Sequence, residues 1–118
     1  MLGVVVVYQY DTGTALWSPM IELTMDQTAA NAYYGSSLAM IHDSGTDWLT
    51  IAVGAPGTYP GFVFVHRHLT TGTSWSNQSL TSTASMNSFG ISVALYGNVL
   101  AVGENAITSS TGKASSCM

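Results

Sequence analysis

The chain has 118 residues, of which 47% are hydrophobic and 7% charged, with 2 Lys or Arg against 6 Asp or Glu and a formal net charge of −4. Such a length can bury the core of one ordinary domain, and this apolar, charge-poor composition excludes a charge-rich disordered chain. The two cationic side chains, Arg67 and Lys113, are too few to neutralise a phosphate backbone, which excludes nucleic acid as a partner and disfavours an anionic membrane surface.

Threonine, valine and aromatic residues favour strands, and the strong helix formers Lys, Glu and Arg are scarce, so the expected class is all-β. No apolar run approaches a membrane span, and no membrane insertion is expected. Met1-Leu2-Gly3 opens without a basic segment and cleavage pattern, so no signal peptide is expected. One cysteine, Cys117, excludes an internal disulfide.

In chain order, Gly3 to Tyr10 is the first predicted strand, with a turn over Asp11 to Thr14. Trp17 opens the next element, in which Ile21 and Leu23 sit two apart, and Asp26 to Asn31 is a polar loop. Tyr34-Gly35 then begins the unit that organises the chain, YGSSLAMIHDSGTDWLTIAVGAPGTYPG. Its two short apolar runs, around Leu38 and Met40 and from Leu49 to Val53, flank a polar turn and predict an antiparallel hairpin. The Pro and Gly residues from Pro56 to Gly61 permit no regular element. Gly61 to His68 repeats the opening strand and leads through a turn, Leu69 to Ser74, to Trp75. Phe89-Gly90 to Asn105 restates the hairpin as FGISVALYGNVLAVGEN.

Trp75 follows Gly61 by the same 14 positions that separate Trp17 from Gly3, and the repeat period is 58 between those glycines and 55 between Gly35 and Gly90. A slightly variable period with its changes in turns is the signature of stacked supersecondary units. Each full unit holds four short strands. Four-stranded antiparallel units in radial repetition are the blades of a β-propeller.

The segments YGSSLA…LTIAVGAP…GFVFV…W and FGISVALYGNVLAVGEN resemble FG-GAP repeats, the blades of the integrin α-subunit propeller and of other extracellular proteins. The resemblance covers nearly all of residues 3–105, with Tyr34 in place of Phe and Glu104-Asn105 in place of Ala-Pro. It implies that residues 1–34 form the second half of a blade and 35–88 a complete blade. Residues 89–118 are then the first half of another, with an irregular tail in which Gly112-Lys113-Ala114 looks like the start of a third strand that Ser115 to Met118 do not continue. Closed propellers take about 4–8 blades, so either the chain is part of a longer protein or several copies assemble a ring.

Candidate sites each carry two readings. His66 and His68 alternate onto one strand face, where two imidazoles are candidate ligands for zinc or copper if His42 or another group joins them. Tyr8 and Tyr10 hold the same places in the other copy, which instead marks large amphipathic residues on a sheet face. Asp43 and Asp47 lie where calcium-binding FG-GAP members carry an Asp-rich loop. Two carboxylates, not on the expected alternating positions, fall short of the six to eight oxygens calcium takes, and a hairpin turn is the better reading. Asn77-Gln78-Ser79 is a glycosylation acceptor sequence. Trp17 and Trp75 could stack on a sugar, but their recurrence at a fixed place in each unit points instead to packing between units. No Gly-x-Ser-x-Gly, phosphate loop or paired carboxylates point to catalysis, so no enzyme and no resident cofactor is expected.

As the resemblance implies, the chain is a binding or adhesion module, extracellular or at the cell surface, with a protein or glycan ligand. The ligand would meet loops at one rim, 26–33, 56–60 and 105–112, with Asn31, Tyr33 and Tyr59 as contact candidates. A self-assembling lectin-like ring and an accessory segment of an enzyme are the other readings.

Overall fold

The structure is a computed structural model that describes residues 3–24, 32–57, 61–72, 75–81, 88–105 and 112–117. Among these residues there are nine strands and no helix. β1 (Val5–Asp11) and β2 (Leu16–Leu23) form a two-stranded sheet. β3 (Ser37–Asp43), β4 (Trp48–Ala55), β5 (Phe62–Leu69) and β6 (Trp75–Thr81) form a four-stranded sheet in sequence order. β7 (Ser92–Tyr96), β8 (Val99–Asn105) and β9 (Gly112–Cys117) form a third. Every pairing is antiparallel, and the chain is all-β. β1 pairs with β2 and β5 with β4 and β6, so the two copies of the Gly-x-Val-x-Val strand belong to different sheets.

One expectation is corrected. The tail expected to be irregular supplies β9, which pairs along β8 with Gly103 opposite Ala114 and Val102 opposite Ser115. β5 pairs with β4 in the same way, Gly54 opposite Val63 and Val53 opposite Phe64. An open strand edge captures a neighbour through backbone groups whatever its side chains, which is why Ser115-Ser116 continues a strand without apolar alternation.

The turns repeat as closely as the strands. In the β1–β2 and β3–β4 turns the Oδ1 of Asp11 or Asp43 accepts the N–H of Gly13 or Gly45, at 2.8 and 2.9 Å. Each turn then closes through a residue with positive φ, Ala15 or Asp47. Asp favours this geometry because its short side chain bonds its own backbone two residues on. Tyr33-Tyr34-Gly35 and Ser88-Phe89-Gly90 likewise share a positive-φ residue before the aromatic and a glycine at φ +96 and +95. Gly35 N–H donates to Gly54 O and Gly90 N–H to Gly103 O, both at 3.0 Å.

The central sheet is covered on both faces. Toward the first sheet it turns Leu49, Ile51, Val53, Ala55 and Phe64, which bury Val5, Val7 and Leu23. Toward the third it turns Ala52 and Val63, which pack with Phe89, Leu100 and Val102. One face is therefore built of large side chains and the other, along its inner strands, of small ones. Burying a side chain the size of Phe64 contributes about 1.5–3 kcal/mol.

Backbone meets backbone where the sheets touch. A Cβ on Gly3 would overlap the carbonyl of Tyr34, and one on Gly61 would overlap the carbonyl of Phe89. These are equivalent positions in successive sheets. Gly61→Ala is therefore expected to lower unfolding stability by about 1–3 kcal/mol through overpacking. Gly72→Ala, whose added methyl meets Leu69 at ordinary contact distance, should stay within about 0.5 kcal/mol. Urea denaturation of both variants measures the difference.

Candidate functional site

Of the sequence-predicted candidates, His66 has the most constrained surroundings. The alternation of β5 turns it and His68 to the same face, and both are buried. His66 Nδ1 lies 2.6 Å from Asn77 Oδ1 on the adjacent strand, and its Nε2 lies 2.8 Å from the Tyr34 hydroxyl. With the amide oxygen accepting, Nδ1 carries the proton and Nε2 accepts from Tyr34. Both ring nitrogens are thus committed to hydrogen bonds. His68 stacks on Trp75, ring centroids 4.4 Å apart and planes within 8°. No group of three His, Cys, Asp or Glu suited to a metal forms among the described residues. The pair His66 and His68 is tied into the sheet interface, where Tyr34 also packs edge-on against Phe64.

Asp43 and Asp47 stand at the β3–β4 turn. The Asp43 carboxyl is held below the ordinary carboxylate range, chiefly by the Gly45 N–H and then by the Thr46 hydroxyl. Asp47 lies 3.4 Å from His42 Nε2, both groups half exposed, a pairing worth at most about 1 kcal/mol. Asp11 makes the same turn bond with no second acid at the position of Asp47, which is Ala15. The local role of the first acid is therefore to shape the turn.

Asn77 is exposed in the middle of β6, its oxygen held by His66. Tyr33 is 62% exposed and takes φ +57, presenting its ring to solvent beside the Tyr34-Gly35 turn. Asn31 and Tyr59 lie outside the described residues. The expected packing role of the two landmark tryptophans is met at Trp75 and corrected at Trp17. Trp75 packs against the core between the first and central sheets. Trp17 is 67% exposed and touches Tyr10, at 5.2 Å between centroids. Among the described residues, nothing on the outer face of its own two-stranded sheet buries it.

The structure also contains a cleft that sequence reasoning missed. Two adjoining hollows of about 480 and 380 Å³ lie between the central sheet and the β7–β8 turn, sharing Thr50, Arg67, Gly97 and Asn98. Arg67 crosses the floor. Its guanidinium carbon sits 4.7 Å from the centre of the Trp48 ring, and its Nε donates to Thr50 Oγ1 at 3.3 Å. Cation–π contact and hydrogen bond together hold an exposed cation in one place. Gln78 and Asn98 supply neutral amides, and Val65, Leu80, Leu95 and Leu100 an apolar wall. The cleft offers a positioned donor fork and a nonpolar surface, chemistry suited to binding. The sequence signal that could have found it is Arg67 itself, one of two Lys or Arg residues in the chain.

Two outcomes are expected. Tyr34→Phe keeps the ring and leaves buried His66 Nε2 without its donor, which should cost about 1–3 kcal/mol in urea denaturation. Millimolar calcium, followed by chelator, should leave the melting temperature unchanged, because Asp43 is engaged in its turn; a clear rise with calcium would restore the ion-binding reading. Compared with known proteins, the chain matches no family model, no curated protein and no solved structure.

Proposed function

We propose that this chain is a non-catalytic binding or adhesion module, built of FG-GAP-type propeller blades and belonging to an extracellular or cell-surface protein. The observation that carries the reading is the recurrence of one sheet-to-sheet contact. Gly3 against the Tyr34 carbonyl and Gly61 against the Phe89 carbonyl are the same contact made twice. A contact that joins the large face of one sheet to the small face of the next is heterologous, and repetition of such a contact closes a ring or extends a filament. A ring of four-stranded sheets is a propeller.

Because successive strands reverse direction, the connections β2–β3, β4–β5 and β8–β9 leave from one end of the sheets. A protein or glycan would be gripped at this rim, with Tyr33 among the contacts. The warrant for this placement is resemblance of repeat and fold, and ligand identity lies beyond it. The second reading, a lectin-like ring of several copies, is favoured by the uncovered apolar face of the first sheet, where Val4, Val6, Tyr8 and Trp17 are exposed.

An experimental structure tests the architecture. The rotation carrying the first sheet onto the central one should equal that carrying the central onto the third. Both should turn about a single axis by about 45–90°, as four to eight blades require. Rotations about unrelated axes would end the propeller reading. For the role, immobilised protein should bind a matrix-protein or glycan panel saturably, and Tyr33→Ala should weaken that binding with the fold intact.

A further inference from the structure

The apolar surface left open is one connected region with a recognisable counterpart elsewhere in the chain. Val4, Val6, Tyr8, Tyr10 and Trp17 are all exposed on β1, its lead-in and β2. Their register equivalents in the central sheet, Phe62, Phe64, His66, His68 and Trp75, are buried or half-buried against the first sheet. Leu38 and Met40, 54% and 62% exposed, continue the region on β3 and line a groove with Val6 and Tyr8. Their equivalents on β7, Val93 and Leu95, pack against the core around Ala52 and Val63. Hence the same sequence positions are covered in one sheet and bare in another.

The surface that would cover them is also present. On the outer side of the third sheet Ala94 and Ala101 are exposed. They pair with each other across β7 and β8, as Ala39 and Ala52 pair across β3 and β4. Ala39 and Ala52 are the small residues that face Val93 and Leu95. Ala94 and Ala101 therefore offer Leu38 and Met40 of another molecule the seat that Val93 and Leu95 already occupy. Among the described residues, β1 has one unpaired edge. The complementary edge of β8 is taken by β9, in the register β5 uses on β4.

We propose that a second copy of this chain completes the first sheet: its β7–β8 hairpin pairs along the open edge of β1, and its β9 is displaced. The composite sheet β7–β8–β1–β2 reproduces the order β3–β4–β5–β6. By the register of the central sheet, Val6 of one copy lies opposite Val102 of the other. The composite buries Leu38 and Met40 under Ala94 and Ala101. It also lays β1 and β2 over the cleft of the partner, which Val65, Arg67, Gln78 and Leu80 line. Aromatic Tyr8 and Tyr10 then approach Arg67. β9 is the weaker claimant to the edge by sequence: at the register positions of Val4 and Val6 it has Lys113 and Ser115. Each copy contributes one donor hairpin and one acceptor edge, so two to four copies would close a ring of about 4–8 blades.

The inference deepens the stacked-sheet reading and stands apart from the binding role. Sedimentation velocity of the full chain at micromolar concentrations should show a discrete oligomer in concentration-dependent exchange. Val6→Lys and Met40→Lys place charge at positions exposed in the single chain, so the fold survives, verified by circular dichroism. Each should weaken association about tenfold or more, since a buried unpaired charge costs more than the 1.4 kcal/mol that tenfold represents. Ser115→Pro, which removes a β9 backbone donor, should strengthen association by loosening the competitor. A monomer at every concentration overturns the proposal, as does an oligomer indifferent to both lysine variants. Weaker association of Ser115→Pro overturns the exchange of β9. None of these results alters the ligand-panel measurement, so the two readings fail separately.

Discussion

The structure depends on a close approach between main chains. At Gly3 and again at Gly61 the start of a strand lies against the carbonyl of the aromatic residue that opens the next sheet, with no space for a Cβ. Backbone contact of this kind fixes the separation and lateral position of two sheets more tightly than side chains, which repack. The aromatic–glycine turn must then present its carbonyl in one direction. It does so through a positive-φ residue, Tyr33 or Ser88, followed by the aromatic and a glycine near φ +95. Non-glycine residues take that region at a cost of order 1 kcal/mol, and the surrounding contacts hold them there. The Ser37 hydroxyl adds to the same joint by donating to the Gly90 carbonyl at 2.7 Å.

From that joint follows the division of each sheet into unlike faces. With the sheets held close along the inner strands, two large side chains cannot oppose one another there. Leu, Ile and Phe on one sheet meet Ala, Gly and Val on the next. The small face is no weaker for this, because Ala52 and Val63 are fully buried. Its consequence is polarity: a sheet of this kind has a front and a back, and its natural partner is another sheet of the same kind. A polar chain from buried Tyr34 through buried His66 to Asn77 runs through this sheet's large face and ties the turn of the central sheet to its third and fourth strands.

Much of the fold was legible because the period of the repeat is written in residues with steric duties. Gly3 and Gly61, Trp17 and Trp75, and the aromatic–glycine pairs announce strand starts whatever lies between them. What escaped the sequence was set by distance or by backbone. The Tyr34–His66 bond joins residues 32 apart, so alternation identified His66 and His68 as facing one way without showing that one partner would be a tyrosine. The cleft over Arg67 exists because two sheets meet at the β7–β8 turn, a relation no local pattern records. β9 beyond Ala114 was hidden for the opposite reason. Its residues have weak strand propensity, and it is an open ladder of amides on β8 that recruits them.

The composition acquires a physical explanation on this view. A lone domain with 7% charged residues would present a surface poor in the groups that keep proteins apart. Scattered exposed apolar residues are ordinary, and contiguous ones mark an interface. Here Val4, Val6, Tyr8, Tyr10 and Trp17 gather on one side of the first sheet with Leu38 and Met40 beside them, while the exposed positions of β6 are Ser76, Asn77, Gln78, Ser79 and Thr81. Polar cover is thus placed along the outermost strand of the complete sheet, where water is the neighbour. Apolar residues are placed where a further sheet would lie. Scarcity of charge follows from geometry: in a chain whose broad faces are both contact surfaces, the narrow edges are the part left to be solvated, and hydroxyls and amides suffice for them.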